Sequence, residues 1–162
     1  SKGNVVSPLD VSEEIIDRIQ DEFSLVFTGI SRSASKILGE SPTNYDDKTD
    51  RLRKIRLQAN KSMKMLKIGD LKSLGMLLSE AWNQKRGISS SVSNDELDLL
   101  YSQIIDLGAS GAKLLGAGGG GFFIVHGNSE FRDIMKVALP SNKIIPLILD
   151  FEGSTIIYNS YS

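Results

Sequence analysis

The residues best placed to do chemistry lie in one segment, Gly108-Ala-Ser-Gly-Ala-Lys-Leu-Leu-Gly-Ala-Gly-Gly-Gly-Gly121, which holds seven of the fifteen glycines in the 162-residue chain. Each glycine costs roughly 0.5–1 kcal/mol of backbone entropy relative to alanine, so five glycines within Gly116–Gly121 need a geometric use. Three uses compete. Successive N–H groups can line a concavity that binds an anion, or the missing Cβ atoms can let another backbone or a ligand approach closely, or the run is a flexible turn ahead of a strand. A hairpin turn needs only one or two glycines, which favours the first two uses.

Known motifs narrow the chemistry. Gly116-Ala-Gly-Gly-Gly-Gly121 has the glycine spacing of a dinucleotide fingerprint, but that fingerprint follows a strand and opens a helix, whereas here a helix is expected before it and a strand after. A dinucleotide oxidoreductase would require the reverse. A triphosphate loop ending in Gly-Lys-Ser/Thr is absent, because Lys113 precedes the glycine cluster. Gly108-Ala-Ser110-Gly-Ala112 lacks the closing glycine of a nucleophile elbow, and His126 is the single histidine available as a base. His126 ends an apolar strand, sharing a face with Phe122 and Ile124, and reads as a satisfied edge residue rather than a catalyst. Asp46-Asp47-Asp50 and Asp95-Glu96-Asp98 have the density of metal clusters but lie near helix starts, where carboxylates complement the dipole. No metal ligand is assigned.

Composition excludes further classes. With 40% hydrophobic and 24% charged residues, the chain has the means to bury one core, and it is read as a single domain spanning 1–162. The absence of cysteine rules out a disulfide framework. A net charge of −1 gives no global electrostatic reason to expect nucleic acid. No run approaches the roughly 20 apolar residues of a membrane span, and the first residues have neither the basic start nor the apolar core of a signal peptide. A cytoplasmic protein with no membrane contact is expected.

The elements that must position the glycine segment follow from periodicity and caps. Val5–Val11 reads as a short extended segment, and Ser12 is a candidate N-cap for the helix SEEIIDRIQ. FSLVFTG reads as a strand, SRSASKIL as a brief helix ended at Gly39, and SPTNYDD as a loop. From Lys48 to Lys67, Leu52, Ile55, Ala59, Met63 and Leu66 recur at the spacing of one buried helix face. This stretch also carries eight of the nineteen basic residues, which read as a solvated face in preference to an anion-binding surface. Gly69 and Asp70 break the helix and cap the next, whose stripe is Leu71, Leu74, Leu78, Ala81 and Trp82; Lys85 and Arg86 complement its dipole before Gly87. Ser93 with Glu96 forms a candidate capping box for a helix that stops at Gly108. FFIVHG is then a strand, SEFRDIMKVAL a helix, and KIIPLILDF and STIIYN two strands that can pair around Glu152-Gly153. Four strands with intervening helices predict an α+β sandwich, one four-stranded antiparallel sheet with helices packed on one face.

GASGAKLLGAGGGGFFIV resembles the third motif of the GHMP small-molecule kinases, in which a glycine-rich loop precedes a strand of the C-terminal domain. TGISRSASKIL and EAWNQKRGISSSVSN further resemble sugar kinases of the D-glycero-D-manno-heptose 7-phosphate kinase kind, and the likeness runs from about Val6 to Tyr158. The resemblance implies a ferredoxin-like α+β domain that is the C-terminal lobe of a two-lobed enzyme. It implies ATP and Mg²⁺ as cofactors, an N-terminal kinase lobe as partner, and a sugar or sugar phosphate as substrate, a heptose 7-phosphate first. The family's phosphate-wrapping loop, magnesium ligands and catalytic Asp or Lys belong to the N-terminal lobe and have no counterpart here, so no catalytic residue is assigned and the isolated chain is expected to be inactive.

Site roles transfer only where residues match. Gly116, Ala117, Gly118, Gly119, Gly120 and Gly121 would form the loop backing the cleft between lobes, near the nucleotide phosphates and the acceptor. Lys113 would project toward that cleft as a partner for phosphate, with a salt-bridged surface lysine as the equal alternative. Thr28, Ser31 and Arg32 sit at a strand-to-helix turn, where hydroxyls, N–H groups and a guanidinium can converge on an anion; Ser31 as a simple helix cap is the equal alternative. A freestanding module that binds an anionic metabolite or a partner protein without catalysis is the second functional reading. An apolar patch beside the glycine loop is expected where a second lobe would dock.

Overall fold

The computed structural model describes residues 8–31, 45–86 and 92–153. In chain order its elements are α1 (Glu13–Glu22), β1 (Phe23–Phe27), α2 (Tyr45–Ile68), α3 (Leu71–Arg86), α4 (Asp95–Asp106), β2 (Gly111–Leu114), β3 (Phe122–His126), α5 (Ser129–Ala138) and β4 (Ile144–Pro146). The four strands form one antiparallel sheet in the order β2-β3-β1-β4. This is the β-α-β-β-α-β arrangement of a ferredoxin-like fold, in which the β2–β3 hairpin is inserted beside β1. No helix among the described residues is long and apolar enough to cross a membrane.

Strand alternation sorts the sheet into two faces. Ala112, Leu114, Phe123, Val125, Val26 and Ile144 point into a core completed by Leu97, Leu100 and Ile104 of α4 and Phe131 and Met135 of α5. Helix α3 is placed differently. Its Trp82 meets Phe123 edge-on at 5.8 Å on the core side. Its Gly75 lies against Gly111 and His126, which belong to the opposite side, so α3 wraps the exposed edge of β2. A Cβ on Gly111 would fall 1.8 Å from the Gly75 carbonyl oxygen, so helix and strand backbones meet without side chains between them. Ser79 finishes this edge: its hydroxyl accepts from Ala112 N–H and Tyr101 O–H, both at 2.9 Å, and donates to the Ala112 carbonyl at 3.4 Å.

Local signals and observed ends agree at several places. Ser12 caps α1 by accepting from Ile15 N–H, and Asp70 caps α3 by accepting from Ser73 N–H. At α4 the cap is Asn94, which accepts from Leu97 N–H, whereas Ser93 donates to Asp98. A side chain one residue closer to the helix captured the orphan N–H. Helix α2 begins at Tyr45, inside the stretch expected as a loop. Three further corrections concern the strands. Gly111–Leu114, too short and too rich in small residues to read as a strand, is β2, so a strand and not a helix immediately precedes the glycine cluster. Because a strand also follows Gly121, the dinucleotide arrangement still fails. His126 is no edge residue, for β3 is interior to the sheet. β4 stops at Pro146, which lacks an N–H to continue the ladder, although Leu147 N–H still reaches the Phe23 carbonyl. The expected strand STIIYN and the helix SRSASKIL lie outside the described residues.

Candidate functional site

The glycine cluster is the connection of the β2–β3 hairpin, from Leu115 to Gly121. It is held from two sides by segments remote in sequence. On one side Gly119 N–H donates to the Val92 carbonyl at 2.9 Å. On the other, Gly121 N–H donates to the Ile30 carbonyl at 2.9 Å, and Thr28 N–H donates to the Gly121 carbonyl at 2.9 Å. The Thr28 hydroxyl accepts from Gly121 and Ile30 N–H groups and donates to the Gly121 carbonyl at 3.0 Å. The loop is therefore anchored rather than free to flex.

Glycine is needed here for two distinct reasons. A Cβ on Gly120 would lie 2.5 Å from the Ile30 carbonyl oxygen, so this residue serves a close backbone approach at a φ of +153°. Gly116, at a φ of +76°, would place a Cβ in open space, so its side chain is missing for conformation alone. The N–H groups of Gly116, Ala117, Gly118 and Gly120 have no hydrogen-bond partner among the described residues. A cavity of about 360 Å³ opens beside them, lined also by Leu25, Leu115 and Phe122. Donors without acceptors at the rim of a cavity are the chemistry of an anion site.

One cation adjoins the loop: Lys85, at the end of α3, donates to the Gly116 carbonyl. Burial, and then the neighbouring charge of Lys113, push its pKa below the ordinary lysine value. Lys113 projects from β2 on the side away from the core, half-buried, with no hydrogen bond or ion pair among the described residues.

The structure brings Gly116 to Gly121 and Thr28 into one unit, with Lys113 on the adjoining strand. Thr28 is buried and its hydroxyl is saturated within the loop, so it positions the glycines and leaves no donor for an anion. Ser31 is exposed just beyond Ile30. Arg32 lies outside the described residues. Lys85 and Val92 were missed as parts of the site. Lys85 had a complete explanation as a cation in the last turn of a helix, and Val92 acts through its backbone, which no residue type advertises. His126 is buried, 3.1 Å from Glu22 through Nε2 and edge-on to Phe23, and belongs to the packing under α3. Among the described residues no group of three or more His, Cys, Asp or Glu side chains is arranged to hold a metal ion.

Comparison with known proteins is consistent with this geometry. Residues 62–135 match the family model described as GHMP kinases C terminal. The D-glycero-alpha-D-manno-heptose 7-phosphate kinase of Campylobacter jejuni is 34% identical over 124 residues, which cover 75% of this chain and 37% of that protein. The bifunctional fucokinase/GDP-fucose pyrophosphorylase of Arabidopsis thaliana is 30% identical over 124 residues, 74% of this chain and 12% of that protein. Among solved structures, the mevalonate kinase of L. major in complex with R-mevalonate superposes with a TM-score of 0.63 at 26% identity, over 85% of this chain and 41% of that one. The chain spans well under half the length of each.

Proposed function

This chain belongs to the GHMP kinases, whose C-terminal domain it carries, and from that premise we propose that it is the C-terminal lobe of a two-lobed, ATP-dependent sugar kinase acting on a phosphorylated heptose. The reaction is transfer of the γ-phosphoryl group of ATP to a sugar hydroxyl, in which positioning and charge stabilisation carry most of the catalysis. The observation that supports this reading is the anchored glycine loop, with four N–H groups unpartnered among the described residues.

Those N–H groups fit the phosphate oxygens of a nucleotide or of an acceptor near the point of transfer. ATP, when bound, supplies the phosphoryl group. The chain's own contribution is to hold donors in place through Thr28 and Val92 and to set the Lys85 ammonium against the loop. The described carboxylates are not grouped for Mg²⁺, and we assign that ion's ligands, with the general base, to an N-terminal lobe. The heptose assignment rests on the resemblance to the Campylobacter jejuni kinase.

The test is phosphoryl transfer from ATP to a panel of sugars and sugar phosphates, by this chain and by a form joined to an N-terminal nucleotide-binding lobe. The chain alone is expected to give no turnover and the two-lobed form to prefer a heptose 7-phosphate. Turnover by the 162 residues at the rate of a two-lobed kinase would overturn the division of labour. No transfer to any sugar by the two-lobed form would leave the anion-binding module as the reading.

A further inference from the structure

A second cavity, of about 410 Å³, lies between α2 and α3. It falls in the range that small organic ligands occupy, roughly 300–1,000 Å³. Ala59, Leu77 and Ala81 contribute to an apolar floor, and Gln58, Lys85 and Lys113 contribute polar groups. Among the described residues no acidic one lines it. Lys113 has no partner among the described residues, and Lys85 spends one of its three N–H donors on the Gly116 carbonyl. Two ammonium groups close enough for one to depress the basicity of the other stand here with no acidic partner among the described residues.

Gln58 adds an independent sign. Its side chain is nine-tenths buried, and its Nε2 has no hydrogen-bond partner among the described residues. A buried polar group left unpaired costs about 1–3 kcal/mol; Nε2 is closed off from solvent, so the amide must turn toward the cavity to meet an acceptor there, and that turn would relieve the cost. The position is also unexpected for a polar residue. It lies on the side of α2 turned toward α3, where the helix's apolar residues were expected.

We propose that this cavity receives the acceptor's own phosphate ester: the phosphate rests between Lys85 and Lys113, Gln58 donates to it, and the carbon skeleton lies on the apolar floor. The assignment of this ligand as the acceptor rests on the sugar kinase reading; the phosphate ester site itself does not. Lys85 lines this cavity and also touches the glycine loop, so one residue links the two sites. The cavity would thereby select sugars that already carry a phosphate.

Every lining residue belongs to this chain, so the site can be tested on the 162-residue protein. Mannose 6-phosphate, mannose and inorganic phosphate are titrated against it, with heat and side-chain NMR shifts as readouts. Mannose 6-phosphate is expected to bind saturably and to shift the Gln58 amide; mannose is expected not to bind. Lys113→Gln should weaken binding about tenfold, and Lys113→Arg should retain most of it. Lys113 is half-buried and unpartnered, so neither change threatens the fold. Gln58→Leu should weaken binding several-fold while leaving the thermal midpoint unchanged or raised, an outcome that a purely structural glutamine would not give. Absence of mannose 6-phosphate binding, binding unchanged in Lys113→Gln and Gln58→Leu, or shifts confined to Gly116–Gly121 would each overturn the proposal. The two readings fail separately. If the two-lobed form transfers phosphoryl groups but Lys113→Gln leaves KM for a phosphorylated acceptor unchanged, the cavity is lost and the kinase stands. If the cavity binds as described but no transfer occurs, the phosphate site stands and the kinase reading falls.

Discussion

Gly120 and Gly116 are four residues apart in one loop, yet their missing side chains do different things. At Gly120 the Ile30 carbonyl occupies the space, with its oxygen 2.5 Å from where a Cβ would sit, and the backbone angle is unfavourable as well. Gly120→Ala therefore combines strain with a clash against backbone that cannot swing away. It should lower unfolding free energy by about 3 kcal/mol in denaturant melts and detach the loop from Thr28. At Gly116 nothing lies within 4 Å, so Gly116→Ala carries only the left-handed penalty, about 1 kcal/mol. Equal losses for the two variants would mean that the loop is held by conformation alone. The cluster was legible in the sequence because five glycines in six residues have no other economical use. Which of them serves packing and which serves open space was not, since the answer depends on Ile30, some ninety residues away.

At the scale of elements, the start of α4 is braced by a charge as well as a cap. Asp98 accepts from Arg86 Nη1 at 2.9 Å and from Ser93 Oγ at 2.7 Å, tying α4 to the end of α3. Burial alone would raise the pKa of this carboxyl, but the hydrogen bonds from Arg86 and Ser93 and the Arg86 charge outweigh it, holding the pKa below the ordinary 3.8. A group depressed on folding stabilises above its unfolded value and stops doing so as pH falls through its folded value. Asp98→Asn should thus cost up to about 1 kcal/mol at pH 7, a modest figure because the pair is partly solvated. The gap between variant and parent should narrow in urea melts as pH falls below the ordinary 3.8 and through the lowered folded value, and a gap that persists in strong acid would show that Asp98 acts by packing. The acidic start of this helix was readable from sequence. Its Ser93 was assigned the role that Asn94 holds, because both side chains are good caps and only the chain's entry direction chooses between them. β2 escaped notice for a related reason: Gly-Ala-Lys-Leu becomes a strand through pairing with β3 and the backbone of α3, not through any propensity of its own.

For the whole molecule, the decisive departure from sequence is the rotation of α2. Its spacing predicts Leu52, Ile55, Ala59, Met63 and Leu66 as the buried face, and the side chain of Leu52 lies outside the described residues. The fold instead leaves Ile55 53% and Met63 42% exposed and turns Gln58 inward, while Leu66 stays half-buried and Leu57, outside that face, is 61% exposed. Periodicity reports that a helix has an apolar side; it does not report what covers that side, and here Ile55 and Ala59 border the open cavity between α2 and α3 while Gln58 takes the buried position beside them. Leu115, the first residue of the glycine loop, is exposed. The orientation of α2 can be tested without any ligand. If Leu57 faces water, Leu57→Lys should change unfolding free energy by no more than about 0.5 kcal/mol, because surface substitutions outside a packed contact are nearly neutral. It should also reduce self-association in concentrated solution, measured by light scattering, because it breaks an apolar patch. Leu77, buried in α3 across the cavity, supplies the control: Leu77→Ala should cost about 2–4 kcal/mol in the same melts. A loss at Leu57 comparable to that at Leu77 would place Leu57 in a packed interior and require α2 to be turned from the orientation that opens the Gln58 cavity.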